Sequence, residues 1–177
     1  FLLDWHLNWY SENEPEKAEK SKAIVKVGDS YRLTTSKKKE ILLNNIHGVD
    51  IDAQAVEVTK LSLLLKVLEN ASGQLGLGLE RVLPDLGNNI KCGNSLIGFD
   101  YFEGQLLPDE EELSHINPFN WKSEFKEVFA KGGFDVVVGN PPYIFARELL
   151  SEKEKNYYSL RYKLSWEKQA ILMETML

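Results

Sequence analysis

Residues 134–143 read Phe-Asp-Val-Val-Val-Gly-Asn-Pro-Pro-Tyr, and this stretch decides the fold of the chain. The apolar run at 134–139 is typical of a buried strand. The tetrapeptide Asn140-Pro141-Pro142-Tyr143 follows at the carboxyl end of that strand, which is where open α/β sheets place their active sites. The stretch therefore predicts a buried parallel strand that leads into a functional loop.

A strand followed by Asn-Pro-Pro-Tyr resembles the catalytic loop of S-adenosylmethionine-dependent amino-methyltransferases. In that superfamily the loop acts on an exocyclic amine, most often N6 of adenine in DNA. The resemblance implies that the Asn140 side-chain oxygen and the Pro141 carbonyl each accept one amino hydrogen, which frees the nitrogen lone pair. Pro141 and Pro142 restrict the backbone that carries these acceptors, and Tyr143 offers a ring on which the target base can stack.

Composition limits the class of protein. The chain has 177 residues, 43% of them hydrophobic, so it forms one domain or most of one. Its net charge is −6 and it carries no basic tail, so a DNA substrate would find most phosphate contacts outside this chain. Cys92 is the single cysteine, so an internal disulfide is excluded, which fits a reducing, cytoplasmic setting. We interpret Cys92 as a small buried hydrophobe. No apolar run reaches the length of about 20 residues that a membrane span needs.

The order of predicted elements is that of a parallel α/β sheet. The helix that Asp52 caps carries two apolar stripes, which predicts burial between two layers. In chain order the predicted elements are a helix at 1–12, a surface insertion at 13–33 with a short hairpin around Gly28-Asp29, a helix at 35–43, a strand at 45–51, a helix at 52–69, a strand end at 90–93, a surface loop at 100–120, a helix at 121–130 that stops at Gly132-Gly133, the strand into Asn140, and a helix or loop at 147–162.

Polar residues follow two of the predicted strands. An acidic residue at the end of a strand in a nucleotide-binding sheet typically takes the ribose hydroxyls. Asp50 would do so for S-adenosylmethionine, with Ile51 against the adenine face. Asn94, with Ser95 beside it, stands where methyltransferases place a polar residue against the adenine amino edge. Alternatively, Asp50 is one of many strand-end acids, and Asn94 belongs to an ordinary strand-end turn.

Residues 41–66, Gly93-Asn94-Ser95 and the Asn140 loop, taken in this order, resemble type IIG restriction–modification enzymes and related DNA adenine methylases. The resemblance implies a partial Rossmann-like methyltransferase domain over residues 1–177, with a mostly parallel sheet and flanking helices. It implies S-adenosylmethionine as cofactor and double-stranded DNA as partner, with the target adenine flipped out of the duplex. The family's glycine-rich cofactor loop has no counterpart before Asp50, and both ends look truncated. We therefore expect the chain by itself to be inactive and to self-associate through exposed apolar surface.

Three alternatives stand beside this hypothesis. Protein-glutamine methyltransferases also carry Asn-Pro-Pro-Tyr, but they keep a glycine loop about one strand–helix unit before the ribose acid. A non-catalytic scaffold that retains the fold is favoured by the missing loop, whereas intact Asn140, Pro141 and Tyr143 argue against it. The simplest alternative is a proline-rich turn whose tyrosine only packs.

Overall fold

The computed structural model describes residues 1–69, 84–105, 107–140 and 150–162. The helices in these ranges are α1 (Leu2–Asn13), α2 (Pro15–Lys20), α3 (Thr35–Asn45), α4 (Ala53–Leu68), α5 (Glu110–Ile116), α6 (Trp121–Glu124), α7 (Lys126–Ala130) and α8 (Glu152–Arg161), with a 3₁₀ turn at Phe99–Phe102. The strands are β1 (Ile24–Val27), β2 (Ser30–Leu33), β3 (Gly48–Asp50) and β4 (Ile90–Cys92). None of the described helices is long and apolar enough to cross a membrane.

The chain divides into two compact units. The first comprises the described parts of Phe1–Gly98 together with Pro108–Phe119, and the second comprises the described parts of Phe99–Leu107 and Asn120–Leu177. The first unit contains both helices and strands, and these alternate from α3 to β4, which confirms the mixed α/β class predicted from the sequence. The strands form two separate two-stranded sheets within the described residues, so the larger, mostly parallel Rossmann-like sheet stays a prediction.

The amino-terminal part of the first unit packs around a β-hairpin. β1 and β2 pair antiparallel, and the turn between them contains Gly28 at φ +62°, as the Gly28-Asp29 sequence predicts. Thr34 then caps α3, because its hydroxyl accepts a hydrogen bond from the Lys37 N–H at 3.2 Å. Segment 13–33, which the sequence presents as a surface insertion, also contributes to the core around α1 and α3. The buried side chains of this core are Ala18, Ala23, Ile24, Leu33 and Ile41.

The second part of this unit is a β-α-β element. β3 and β4 pair parallel with Gly48 opposite Ile90 and Asp50 opposite Cys92. The connecting helix α4 begins at the predicted cap, since the Asp52 carboxylate accepts the Gln54 N–H at 2.8 Å. Val56 of α4 packs with Ile90 and Leu86 under the strands, so this crossover fixes the edge at which both strands end.

Buried Asn89 joins three segments at the start of β4. Its side-chain nitrogen donates to the carbonyls of Leu43 at 2.7 Å and Ile46 at 2.9 Å, and its own carbonyl accepts the Gly48 N–H at 2.9 Å. Since buried polar groups are costly unless they are paired, these bonds tie the end of α3 and the start of β3 to one point. The register of the parallel pair is thereby set.

Helix α4 is buried on one side only. Val56 and Val67 are buried, whereas Val58, Leu61 and Leu65 are 63%, 57% and 59% exposed. The prediction that both apolar stripes lie between layers is therefore wrong for the described structure. The described residues form only one layer against α4, and this layer consists of the strands and the end of α3. Within the described residues, no layer covers the stripe of Val58, Leu61 and Leu65, so it stays exposed.

The second unit contains short helices and an aromatic cluster. The helix predicted at 121–130 is divided at Phe125 into α6 and α7, and its predicted stop is confirmed by Gly132 and Gly133 at φ +112° and +106°. Phe134 packs edge-on against rings from both helices. These rings are Trp121, Phe125 and Phe129.

Residues 134–140 do not form the buried strand that the sequence predicts. They lie outside any strand, and Val136, Val137 and Val138 are 77%, 46% and 90% exposed. An apolar segment becomes a strand only when a neighbouring strand satisfies its N–H and C=O groups, and neither described sheet includes this segment. The prediction is corrected on this point.

Candidate cofactor site

The parallel pair brings the predicted cofactor residues to one edge. Asp50 ends β3 directly opposite Cys92, which ends β4, and the Asp50 carbonyl accepts the Gly93 N–H at 2.9 Å. Ile51 is therefore the first residue beyond β3, and Asn94 is the second residue beyond β4, after Gly93. Parallel strands end on the same side of a sheet. One edge of the pair, which we call the β3–β4 edge, therefore carries Asp50, Ile51, Asn94 and Ser95.

Asp50 presents an oriented carboxylate at this edge. Its Oδ1 accepts the Asp52 N–H at 2.9 Å, which closes a local turn, and the residue is exposed. Its Oδ2 has no hydrogen-bond partner among the described residues. An ionised carboxylate accepts several hydrogen bonds, so Asp50 can hold its turn and still accept from two adjacent hydroxyl groups. Ile51 beside it is 54% exposed and offers an apolar surface.

Asn94 is held by its backbone and by one side-chain oxygen. Its N–H donates to the Asn117 carbonyl at 2.6 Å, and its Oδ1 accepts the Leu96 N–H at 3.1 Å. The side-chain Nδ2 has no partner among the described residues and remains a donor for a ligand. Ser95 is partly buried in the same turn and takes part in an interaction of its own.

Cys92 is exposed, so its interpretation as a small buried hydrophobe is wrong. It lies at the end of a short strand, where packing against α4 no longer covers it. Its thiol donates to the Ile51 carbonyl at 3.5 Å and accepts from the Asn117 side-chain nitrogen at 3.5 Å. The sulfur thus lies in the same network as the candidate cofactor residues.

Sequence reasoning missed Asn117 and Phe119, which come from the region assigned to a surface loop. A Cβ atom on Gly93 would lie 2.6 Å from a ring carbon of Phe119, so the glycine permits a close approach that alanine would not. A signal for Asn117 was present: His115, Asn117 and Pro118 follow the pattern of a helix end that uses asparagine as its cap. That signal marks the turn but does not show what the turn contacts.

The predicted catalytic residues are only partly described. Asn140 belongs to the second unit and is exposed. Pro141, Pro142 and Tyr143 lie outside the described residues. A catalytic role for this loop therefore stays a prediction from its sequence. In the described ranges, no group of three or more His, Cys, Asp or Glu side chains could hold a metal ion.

Comparison with known proteins decides the family. Residues 44–173, more than half of the chain, match the family profile described as Eco57I restriction-modification methylase. The chain belongs to the Eco57I restriction-modification methylase family. Asp50, Asn94 and Asn140 all fall within the stretch that matches the Eco57I family.

Two relatives show what this Eco57I-family chain is similar to. It is 32% identical over 169 residues to the type II restriction enzyme and methyltransferase RM.Eco57I of Escherichia coli. This alignment covers 94% of the chain and 15% of RM.Eco57I. The chain is 31% identical over 112 residues to the adenine-specific methyltransferase PglX of Streptomyces coelicolor, which covers 60% of the chain and 9% of that protein. The chain thus spans only a small part of these relatives. No solved structure matches it.

The relatives are methyltransferases by name, and membership in the Eco57I family supports a methyltransferase function. The residues at the β3–β4 edge could hold the adenosine half of a methyl-donor cofactor. This edge combines a carboxylate with an open oxygen, an exposed apolar side chain and an amide with an open donor, which match a ribose diol, a purine face and a purine edge.

Proposed function

We propose that this chain takes part in the S-adenosylmethionine-dependent transfer of a methyl group to N6 of adenine in DNA, within a restriction–modification enzyme. The observation that carries the proposal is the parallel pair β3–β4. It places Asp50 and Asn94 at one edge in a chain of the Eco57I family that also contains Asn-Pro-Pro-Tyr. The chain covers 15% of RM.Eco57I, so the activity belongs to the full-length protein.

Binding of the cofactor would use the β3–β4 edge. Asp50 accepts hydrogen bonds from both ribose hydroxyls, Ile51 lies against the adenine face, and the Asn94 amide contacts the adenine amino edge. Ser95 continues the turn that holds Asn94. The cofactor, once bound, supplies an activated methyl group.

Catalysis would use the loop that begins at Asn140. The Asn140 side-chain oxygen and the Pro141 carbonyl each accept a hydrogen bond from the amino group of the target adenine, and both stabilise the positive charge that develops on the attacking nitrogen. Pro141 and Pro142 would restrict the backbone that carries these acceptors, because a proline ring fixes its own φ, and Tyr143 would stack on the base. The amine is unreachable inside a duplex, so the adenine must be flipped out.

DNA is proposed as the partner even though the chain is acidic. Its net charge of −6 argues that phosphate contacts come from other parts of the full-length protein. A cytoplasmic setting, where such DNA lies, agrees with the single cysteine of the chain.

The test is methyl transfer by the full-length protein from labelled S-adenosylmethionine. We expect label in N6-methyladenine of DNA, identified by mass spectrometry of the digested nucleosides. Label in protein glutamine would instead support the glutamine methyltransferase. Cofactor binding without transfer to either substrate would support the non-catalytic scaffold. Either of these two outcomes would overturn the proposal.

A further inference from the structure

Residues Asn117–Phe119, which we call the bracing segment, run beside the end of β4. Pro118 forms a parallel bridge with Asn94, and the Asn117 carbonyl accepts the Asn94 N–H. Two residues further along, the Phe119 N–H donates to the Ile97 carbonyl at 2.8 Å. The bracing segment therefore holds both ends of the turn that carries Asn94, although 22 residues lie between Asn94 and Asn117 in the sequence.

Asn117 owes its position to a left-handed backbone. It ends α5 at φ 47° and ψ 59°, and its N–H donates to the Leu113 carbonyl at 2.9 Å. Asparagine and glycine tolerate this conformation, whereas alanine and most other residues resist it. The same residue donates through its side-chain nitrogen to Cys92 Sγ. One left-handed residue thus joins the end of α5, the end of β4 and the backbone of Asn94.

The bracing segment also limits where the turn can move. Phe119 is buried, and its ring lies so close to Gly93 that there is no room for a side chain at that position. The turn is therefore held by the hydrogen bond to the Asn117 carbonyl, and the Phe119 ring packs against Gly93, which precedes it. Such an arrangement is expected where a neighbouring polar group must keep one orientation.

We propose that Asn117 is a positioning residue, whose backbone carbonyl, set by the left-handed turn, holds the Asn94 side-chain amide in the single orientation that distinguishes adenine from other purines. The inference rests on the proposed function, because it takes the purine of the cofactor as the ligand of Asn94. The Leu96 N–H occupies Asn94 Oδ1 and so fixes which end of the amide is the donor. The Nδ2 donor then faces an acceptor, which N1 of adenine is and the protonated N1 of hypoxanthine is not.

The test compares two ligands that differ only at this purine edge, S-adenosylhomocysteine and S-inosylhomocysteine. Their dissociation constants are measured by calorimetry on the full-length protein. The ratio of the dissociation constant of S-inosylhomocysteine to that of S-adenosylhomocysteine reports the orientation of the Asn94 side-chain amide, and it falls when discrimination is lost. A loss of folded protein lowers the bound fraction for both ligands equally and leaves the ratio unchanged.

Asn117→Gly and Asn117→Ala form a matched pair that differs by one methyl group. Glycine keeps the left-handed turn and therefore the carbonyl that holds Asn94, so we expect the wild-type ratio to be kept within about twofold. Alanine strains the turn, and the ratio should fall by about 3- to 10-fold, the size of one lost hydrogen bond. Should the alanine variant melt below the assay temperature, Asn117→Ser replaces it, since serine has a similar backbone cost and keeps a donor near Cys92.

Two results would overturn the inference without touching the proposed function. One is a wild-type ratio in Asn117→Ala while the wild-type protein prefers the adenine ligand. The other is an equal loss in both variants, which would exclude the backbone carbonyl as the cause. Failure of the wild-type protein to bind S-adenosylhomocysteine would instead overturn the proposed function and the inference together.

A double-mutant cycle with Asn94→Ala gives an independent check. If Asn117 acts through Asn94, the ratio in Asn94→Ala should not change when Asn117→Ala is added. A further fall of similar size would show that Asn117 affects the ligand by another route, and the positioning role would be lost.

Discussion

The strand ending at Asp50 and the segment ending at Asn140 look alike in sequence and differ in the structure. Both are short apolar runs that lead into polar residues. The first pairs with β4 over its whole length, whereas the second belongs to neither sheet of the described residues and exposes Val136 and Val138. The second run is the more apolar of the two, so hydrophobicity does not explain the difference. A neighbour that supplies backbone partners, here joined through α4 and Asn89, decides which run becomes a strand.

The largest expected effect is the loss of methyl transfer on substitution of Asn140, at the end of the second run. Asn140→Ala removes one of the two proposed acceptors for the target amine, and we expect methyl transfer to DNA to fall by about 10²- to 10³-fold. Binding of S-adenosylhomocysteine should be unchanged, because Asn140 is not part of the β3–β4 edge. Turnover is followed by label incorporated into DNA, with exposed Asn8→Ala as the control. Full activity in Asn140→Ala would remove this residue from the mechanism.

The foundation of the paired strand is tested at Asn89. Asn89→Ala leaves the Leu43 and Ile46 carbonyls without their donor, so the free energy of unfolding should fall by roughly 2–4 kcal/mol. The adjacent and exposed Asn88→Ala is the matched control and should change it by less than about 0.5 kcal/mol. Denaturant unfolding of both variants measures the difference. Equal effects of the two substitutions on the free energy of unfolding would show that the side-chain hydrogen bonds of Asn89 do not stabilise β3.

The charge at the end of the paired strand is tested with Asp50→Asn. Asparagine keeps an oxygen that can accept the Asp52 N–H, but it loses the negative charge and one of the two acceptors. Since hydrogen bonds to ionised groups are about twice as strong as neutral ones, cofactor affinity should fall by roughly tenfold. Calorimetry with S-adenosylhomocysteine measures it, and Asp29→Asn in the hairpin turn is the control. An unchanged dissociation constant would place the ribose elsewhere.

The smallest expected effect concerns His47, which directly precedes β3. Burial lowers the pKa of His47 from its ordinary value of 6.5, and burial likewise lowers the pKa of His6. The unfolded chain then binds more protons than the folded one as the pH falls, so stability should decline from about pH 6.5 downward. His47→Gln should flatten part of this decline, and an unchanged pH dependence in this variant would contradict the role of His47. Melting temperatures between pH 5 and about pH 8 would show either result.

Much of the first unit could be predicted from the sequence because its signals are local. The Gly28-Asp29 turn, the Asp52 cap and the alternation of strand and helix around Asp50 are each encoded within a few residues. The candidate cofactor residues follow from the same pattern. What they bind stays a prediction, since the structure describes their geometry and no ligand.

Contacts between distant residues could not be predicted in the same way. The Asn94–Pro118 bridge and the bonds from Asn89 to Leu43 and Ile46 join residues far apart in sequence, and no local pattern specifies them. The same limit explains the error at residues 134–139. An apolar run indicates that a strand is favourable there but does not supply its neighbour.

The close approach of Phe119 to Gly93 has a consequence for protein engineering. A library aimed at accepting synthetic cofactor analogues would normally randomise every position of the turn beside the purine. Position 93 should be left unchanged in such a library, because any side chain there meets the Phe119 ring before it meets a ligand. Positions 94 and 95 carry the useful diversity, and a library restricted to them would contain a larger share of folded members.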